Sequence, residues 1–66
     1  MKNTLKIQRA IKNITQEELA KKVSVSRQTI NAIETNKYVP STLLALKLAK
    51  VFKLSVEEIF LLEKND

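Results

Sequence analysis

Sixty-six residues with no cysteine, no histidine and a formal charge of +5 fit one small domain, and they exclude a disulfide framework and the usual kinds of zinc site. A chain this short buries only about 60% of its unfolded surface, so its stability has to come from efficient helix packing. No apolar run approaches the roughly 20 residues of a membrane span, no signal-peptide pattern opens the chain, and the lack of cysteine suits a reducing cytoplasm.

The first helix is expected over residues 4–13, capped by Asn3 or Thr4. Leu5 and Arg9 share one of its faces, while Ile7 and Ile11 share another, so one stripe has to be less buried. Ile7 and Ile11 either complete the core through a rotated helix or contribute to a partner surface. Thr15 followed by Glu18 is a capping box that opens the second helix, "QEELAKKV". That helix puts Leu19 and Val23 on one side, with Ala20 small enough to admit a neighbouring helix. The turn "SVS" follows, with Val25 as an inward plug. Ser26 caps the third helix, "RQTINAIETN", whose inner face is Ile30 and Ile33.

Ser41, next after the single proline, caps a fourth helix, "TLLALKLAKVF". It is apolar almost all round, which places it at the centre of a core. Lys47, Lys50 and Lys53 recur along it and are read as its solvated side rather than as phosphate contacts. Ser55 and Glu58 form a second capping box before the fifth helix, "VEEIF". Ile59 and Phe60 can close the core, which leaves Leu61 and Leu62 little to cover, and the final "EKND" is expected to fray. No segment alternates as a half-buried strand does, so the chain is read as all-α.

Two short helices joined by a short turn and sharing one apolar seam form a helix-turn-helix, here about residues 16–35. With Ile30 and Ile33 turned inward, the opposite side of the third helix holds Arg27, Gln28, Asn31 and Thr35. A helix about 10–12 Å across fits a major groove about 12 Å wide, where Gln or Asn can pair with adenine and Arg with guanine. Gln28 and Asn31 are the candidate base readers. Arg27 reads guanine or a flanking phosphate, and Ala32 offers its methyl to a thymine. Ser26 and Thr29 can donate hydroxyls to phosphates, and Asn36, Lys37 and Tyr38 form a second clamp on the backbone. Tyr38 could equally cover the core beside Pro40. Residues 1–53 carry a balance of +8 and residues 54–66 one of −3, which suits an anionic partner for the body.

The stretch "LKIQRAIKNITQEELAKKVSVSRQTINAIETNKYVPS" resembles the DNA-binding domain of the Cro/phage-repressor (XRE-type) helix-turn-helix family of transcriptional regulators. The "TQEELA" run, the "SRQTI" run, the Ile33–Glu34 pair and the "PS" before the fourth helix all fall at the family's spacing. The likeness runs from about Leu5 to Phe60. It implies a compact five-helix, lambda-repressor-like domain that binds double-stranded operator DNA, most often as a homodimer on a near-palindrome. It further implies that Gln16 meets a phosphate through its side chain and backbone N–H, and that Arg9 pairs with Glu34 as an architectural tie. The dimer contact is expected within residues 59–66, at Ile59, Leu61 and Leu62, with recognition helices about 34–36 Å apart. The chain departs from the family in lacking glycine: Ser24, Asn36 and Lys53 stand where it often has one, and only Asn tolerates the left-handed conformation well. Gln8 also stands where the family prefers an apolar residue.

Catalysis is not expected, since no histidine or cysteine is present and the paired glutamates sit at helix starts, where capping explains them. No cofactor, metal, small-molecule ligand or membrane is implied, and the expected location is the cytoplasm, at the nucleoid. The rival readings are a protein-interaction module on the same scaffold and an antitoxin. The first would tend to show acidic or exposed leucine side chains on the outer face of the third helix, and the second commonly needs an extra toxin-wrapping segment.

Overall fold

The computed structural model describes residues 1–66 and contains helices α1 (Leu5–Lys12), α2 (Gln16–Lys22), α3 (Arg27–Glu34), α4 (Thr42–Phe52) and α5 (Val56–Ile59). Two short strands, β1 (Lys2–Asn3) and β2 (Phe60–Leu61), pair antiparallel, with Lys2 opposite Leu61 and Asn3 opposite Phe60. The five helices match the sequence reading. The strand pair does not appear in it, because two residues are too few to show a period.

Each helix begins where a capping side chain stands. Thr15 Oγ1 accepts from the Glu18 N–H at 3.0 Å, and the Glu18 carboxylate accepts from the Thr15 N–H at 2.8 Å. Ser26 and Ser41 accept from the N–H groups of Thr29 and Leu44, both at 3.2 Å. The Glu58 carboxylate accepts from the Ser55 N–H at 3.0 Å and the Ser55 hydroxyl at 3.1 Å. At α1, Asn3 Oδ1 accepts from the Leu5 N–H at 3.1 Å, while the Thr4 hydroxyl turns away to the Glu58 carbonyl.

The stops of the first four helices share one device, while α5 runs straight into the extended backbone of Phe60. Asn13, Ser24, Asn36 and Lys53 all have positive φ, between 55° and 61°. Beyond each, the next N–H reaches back to the carbonyl five residues earlier: Ile14 to Arg9, Val25 to Ala20, Lys37 to Ala32 and Leu54 to Ala49. Asn36 is the stop that the sequence reading favours; Ser24 and Lys53, which stand at family glycine positions, adopt the conformation despite their Cβ atoms, and Asn13 is a fourth that the reading does not single out.

Twelve apolar residues form the core, with no buried polar side chain among them. Leu5, Leu19, Ile30, Ile33, Leu48 and Ile59 are all but fully enclosed, and each such burial contributes about 1.5–3 kcal/mol. Ala20 is buried as expected of a close-approach residue, and Val25 packs at the core margin.

Two expectations need correction, and one open alternative is resolved. Helix α4 is not enclosed all round. It buries Leu44, Leu48, Ala49 and Phe52 but leaves Leu43 and Leu46 exposed beside the lysines, because the core covers only one side of it. Ile7 and Ile11 are 58% and 70% exposed, so α1 is not rotated to bury them; Leu5 faces the core instead. The last residues form a capped turn rather than a frayed end. The Glu63 N–H donates to Asp66 at 2.7 Å, and the Met1 ammonium sits 3.1 Å from carboxylate oxygens of both. That ammonium's pKa is raised, first by its hydrogen bond to Glu63 and then by Asp66.

Candidate nucleic-acid interface

Helices α2 and α3 meet through Leu19, Ala20 and Val23 on one side and Ile30 and Ile33 on the other, all buried. That seam fixes the rotation of α3. Arg27, Gln28, Asn31 and Thr35 are consequently exposed together, while Thr29 and Ala32 are half-buried at the edge of the same face. Arg27 is in no ion pair, and neither its side chain nor that of Gln28 has a hydrogen-bond partner within the chain, so both are free to meet a ligand.

Behind this face runs a polar chain that ties three helices together. Arg9 Nε donates to Glu34 Oε2 at 2.6 Å and Nη2 donates to Oε1 at 3.1 Å, while Nη1 donates to the Ile14 carbonyl at 3.1 Å. The Glu34 side chain is 3% exposed and that of Arg9 15%, and the carboxylate pushes the guanidinium pKa upward. Gln16 Nε2 donates both its hydrogens, one to Glu34 Oε1 at 3.0 Å and one to Asn31 Oδ1 at 3.2 Å. The chain Arg9–Glu34–Gln16–Asn31 thus runs from α1 to the exposed surface of α3. The Arg9–Glu34 tie is the one expected; its extension through Gln16 to Asn31 is not, since nothing local in the sequence marks a contact between residues 16 and 31.

This chain changes what Gln16 can offer. Its amide N–H groups are committed internally, leaving only its carbonyl oxygen outward, and a carbonyl repels a phosphate. The backbone N–H groups of Gln16 and Glu17 have no acceptor within the chain, and together they offer an anion what the side chain does not. Asn31, by contrast, keeps both Nδ2 hydrogens and one Oδ1 lone pair, the set that an adenine edge requires.

The other candidates are also partly committed. The Ser26 and Thr29 hydroxyls share one hydrogen bond at 3.0 Å, which leaves one O–H of the pair free to donate. Thr35 donates back to the Asn31 carbonyl at 2.8 Å. Asn36 Oδ1 accepts from Asn3 Nδ2 at 3.1 Å, so its own Nδ2 faces outward. Asn3 Nδ2 also donates to the Ile33 carbonyl at 2.8 Å, which pins the end of α3 to β1; sequence reading gave Asn3 only a capping role. Lys37 is exposed and unpaired. Tyr38 is half exposed; it borders a groove with Gln28, Ala32 and Leu43 and, on its other side, a crevice with Pro40. It therefore does not cover the core completely.

Of the three residues expected at a dimer contact, Ile59 is fully enclosed in the core and no partner can reach it. Leu61 and Leu62 are exposed, Leu62 by 82%. No helix is long and apolar enough to cross a membrane.

A helix-turn-helix family model matches residues 5–59. Over 66 residues the chain is 58% identical to an uncharacterized HTH-type transcriptional regulator of Methanocaldococcus jannaschii, with both chains covered completely. It is 48% identical to the uncharacterized HTH-type transcriptional regulator YgzD of Bacillus subtilis, again over all of both chains. A further uncharacterized HTH-type transcriptional regulator, from Archaeoglobus fulgidus, is 47% identical over all of this chain and 93% of its own.

Proposed function

The chain belongs to the Cro/phage-repressor helix-turn-helix family of DNA-binding, non-enzymatic transcriptional regulators, and we propose that it is a repressor that binds a near-palindromic operator in the cytoplasm as a homodimer. Helix α3 enters the major groove. Gln28 and Asn31 read adenines, Arg27 reads guanine or an adjoining phosphate, and Ala32 meets a thymine methyl. The backbone N–H groups of Gln16 and Glu17, the Ser26–Thr29 hydroxyl pair, Asn36, Lys37 and Tyr38 hold the flanking phosphates. The exposed Leu61 and Leu62 join the two protomers across a two-fold axis.

A single observation carries this reading. The burial of Ile30 and Ile33 leaves Arg27, Gln28 and Asn31 exposed side by side, and the only acidic residue of α3, Glu34, is withdrawn to Arg9. A face without free negative charge suits a polyanion and argues against the protein-interaction module, which would tend to present acidic or leucine side chains there.

Selection of bound sequences from a random duplex pool tests it. The expected result is an enriched site with two-fold symmetry and half-sites one helical turn apart, about 10 base pairs. Recovery of an unenriched pool would sink the proposal, and an enriched but asymmetric single site, with monomers in sedimentation, would remove the dimer from it.

A further inference from the structure

The fold gathers a basic surface that no single element announces. Lys22 at the end of α2 and Lys47 and Lys50 on α4 converge on one open depression, with Ser24 and Val51 completing its wall. None of the three lysines forms an ion pair. Helix α4 contains no acidic residue; Glu18 of α2 lies one turn before Lys22 and feels its charge, but its carboxylate is held by the Thr15 N–H and forms no ion pair with that lysine. Helix dipoles account for Lys22 and Lys50, each in the last turn of its helix. They do not account for Lys47, which lies outside that turn. Three unpaired cations around one hollow repel one another, and a neighbouring anion relieves that repulsion.

Position decides which anion. Ser24 and Lys47 also border the groove lined by Gln28, Thr29 and Ala32, so the basic hollow is continuous with the edge of the recognition face. Lys53, third of the stripe in the sequence, takes no part in it.

We propose that Lys22, Lys47 and Lys50 form a second phosphate-binding surface, which takes the backbone of duplex DNA lying beyond the base-read site. The surface rests on the DNA reading given above and extends it: the bound duplex is longer than the segment α3 reads. It contributes affinity and salt sensitivity but no sequence preference, because it meets phosphates alone.

The test uses the selected site in two duplexes, one trimmed to the site and one extended by about one helical turn, roughly ten base pairs, on each side. Dissociation constants are measured across a salt series for the wild type, for K22Q/K47Q/K50Q and for the charge-preserving K22R/K47R/K50R. Extension tightens wild-type binding about tenfold near 0.1 M salt and steepens the salt slope by about two to three units per protomer. The glutamine variant loses that gain while binding the trimmed duplex as the wild type does, and the arginine variant keeps it. No gain on extension in the wild type, or equal losses on both duplexes in the glutamine variant, overturns the proposal while leaving the DNA reading intact. Failure of the wild type to prefer the selected site on either duplex overturns both.

Discussion

Gln16 and Asn31 stand on different helices, yet the Gln16 amide donates to Asn31 Oδ1 at 3.2 Å and settles which way the Asn31 amide points. With Oδ1 held, Nδ2 is presented outward without a rotamer search on binding. Under the proposed DNA reading, Gln16→Ala is expected to relax base preference at the position assigned to Asn31, although Gln16 is assigned no base contact of its own. In a double-mutant cycle with Asn31→Ala, specific binding shows a coupling of about 0.5–1.5 kcal/mol. Strict additivity of the two substitutions would refute the positioning role. Unfolding measured in parallel separates this from the roughly 1 kcal/mol that losing the Gln16–Glu34 hydrogen bond costs.

Arg9→Ala deprives the Glu34 carboxylate, 3% exposed in the wild type, of its guanidinium and leaves Gln16 as its remaining side-chain donor. Exposed pairs are worth less than about 1 kcal/mol, whereas removing one partner of a buried pair costs about 3–5 kcal/mol. The low exposure of Glu34 and the two-pronged geometry place this pair near the buried end. Thermal unfolding of Arg9→Ala is expected about 20–35 °C below the wild type, since each kcal/mol is worth about 7 °C in a domain this small. Arg9→Lys recovers only part of that, since an ammonium cannot reproduce both prongs and the bond to the Ile14 carbonyl. A shift of a degree or two would mean the pair is effectively solvated.

How far the sequence foretold these contacts depends on their range. The caps at Thr15, Ser26, Ser41 and Ser55 were legible because a cap and its partner lie within one turn. The inward turn of Ile30 and Ile33 was legible because α3 has only those two large apolar residues to bury. The Gln16–Asn31 bond, the Asn3–Ile33 bond and the meeting of Lys22 with Lys47 and Lys50 were not, since each joins residues from separate elements. Helix α4 misled for a different reason: its lysines mark the solvated side, but Leu43 and Leu46 stand on that side too, and residue type alone does not tell them from the core leucines.

Acid stability has a readable contributor at α2. The Glu18 carboxylate accepts from the Thr15 N–H, and this bond, followed by that with the Thr15 side chain, holds its pKa below the usual glutamate range. The folded state then binds its proton at lower pH than the unfolded chain does. The stabilisation is complete above the unfolded value, about pH 4.3, and drains away as pH falls through the lower folded value. Glu18→Gln removes this dependence, so the stabilities of wild type and variant converge on acidification. A gap that stays constant from pH 7 down to pH 3 would contradict it.

Lys53 ends α4 with φ at 55°, a conformation that costs a residue bearing a Cβ about 1–2 kcal/mol. Lys53→Gly removes that cost, while the freer unfolded chain takes back about 0.5–1 kcal/mol. The net gain is about 0.5–1 kcal/mol, read as a higher midpoint in urea. Asn36→Gly gains less, because asparagine tolerates the left-handed region and Asn36 also bonds to Asn3. If both variants were less stable than the wild type, strain would not be the governing term at these helix ends.

Gln28 and Lys37 separate sequence reading from charge. Gln28 is exposed on α3 with a donor and an acceptor side by side, the pattern that pairs with adenine; Lys37 is exposed beyond the helix end and has only charge to offer. Gln28→Ala is expected to lower affinity for the selected site by about 1–3 kcal/mol while leaving binding to unrelated DNA nearly unchanged, because only a base edge distinguishes the two. Lys37→Ala weakens both alike and flattens the salt slope by about one unit, the signature of one phosphate released. Binding isotherms on selected and scrambled duplexes at several salt concentrations distinguish the two. Should Gln28→Ala depress both duplexes equally, the amide would be gripping the backbone, and base recognition would fall to Arg27 and Asn31 alone.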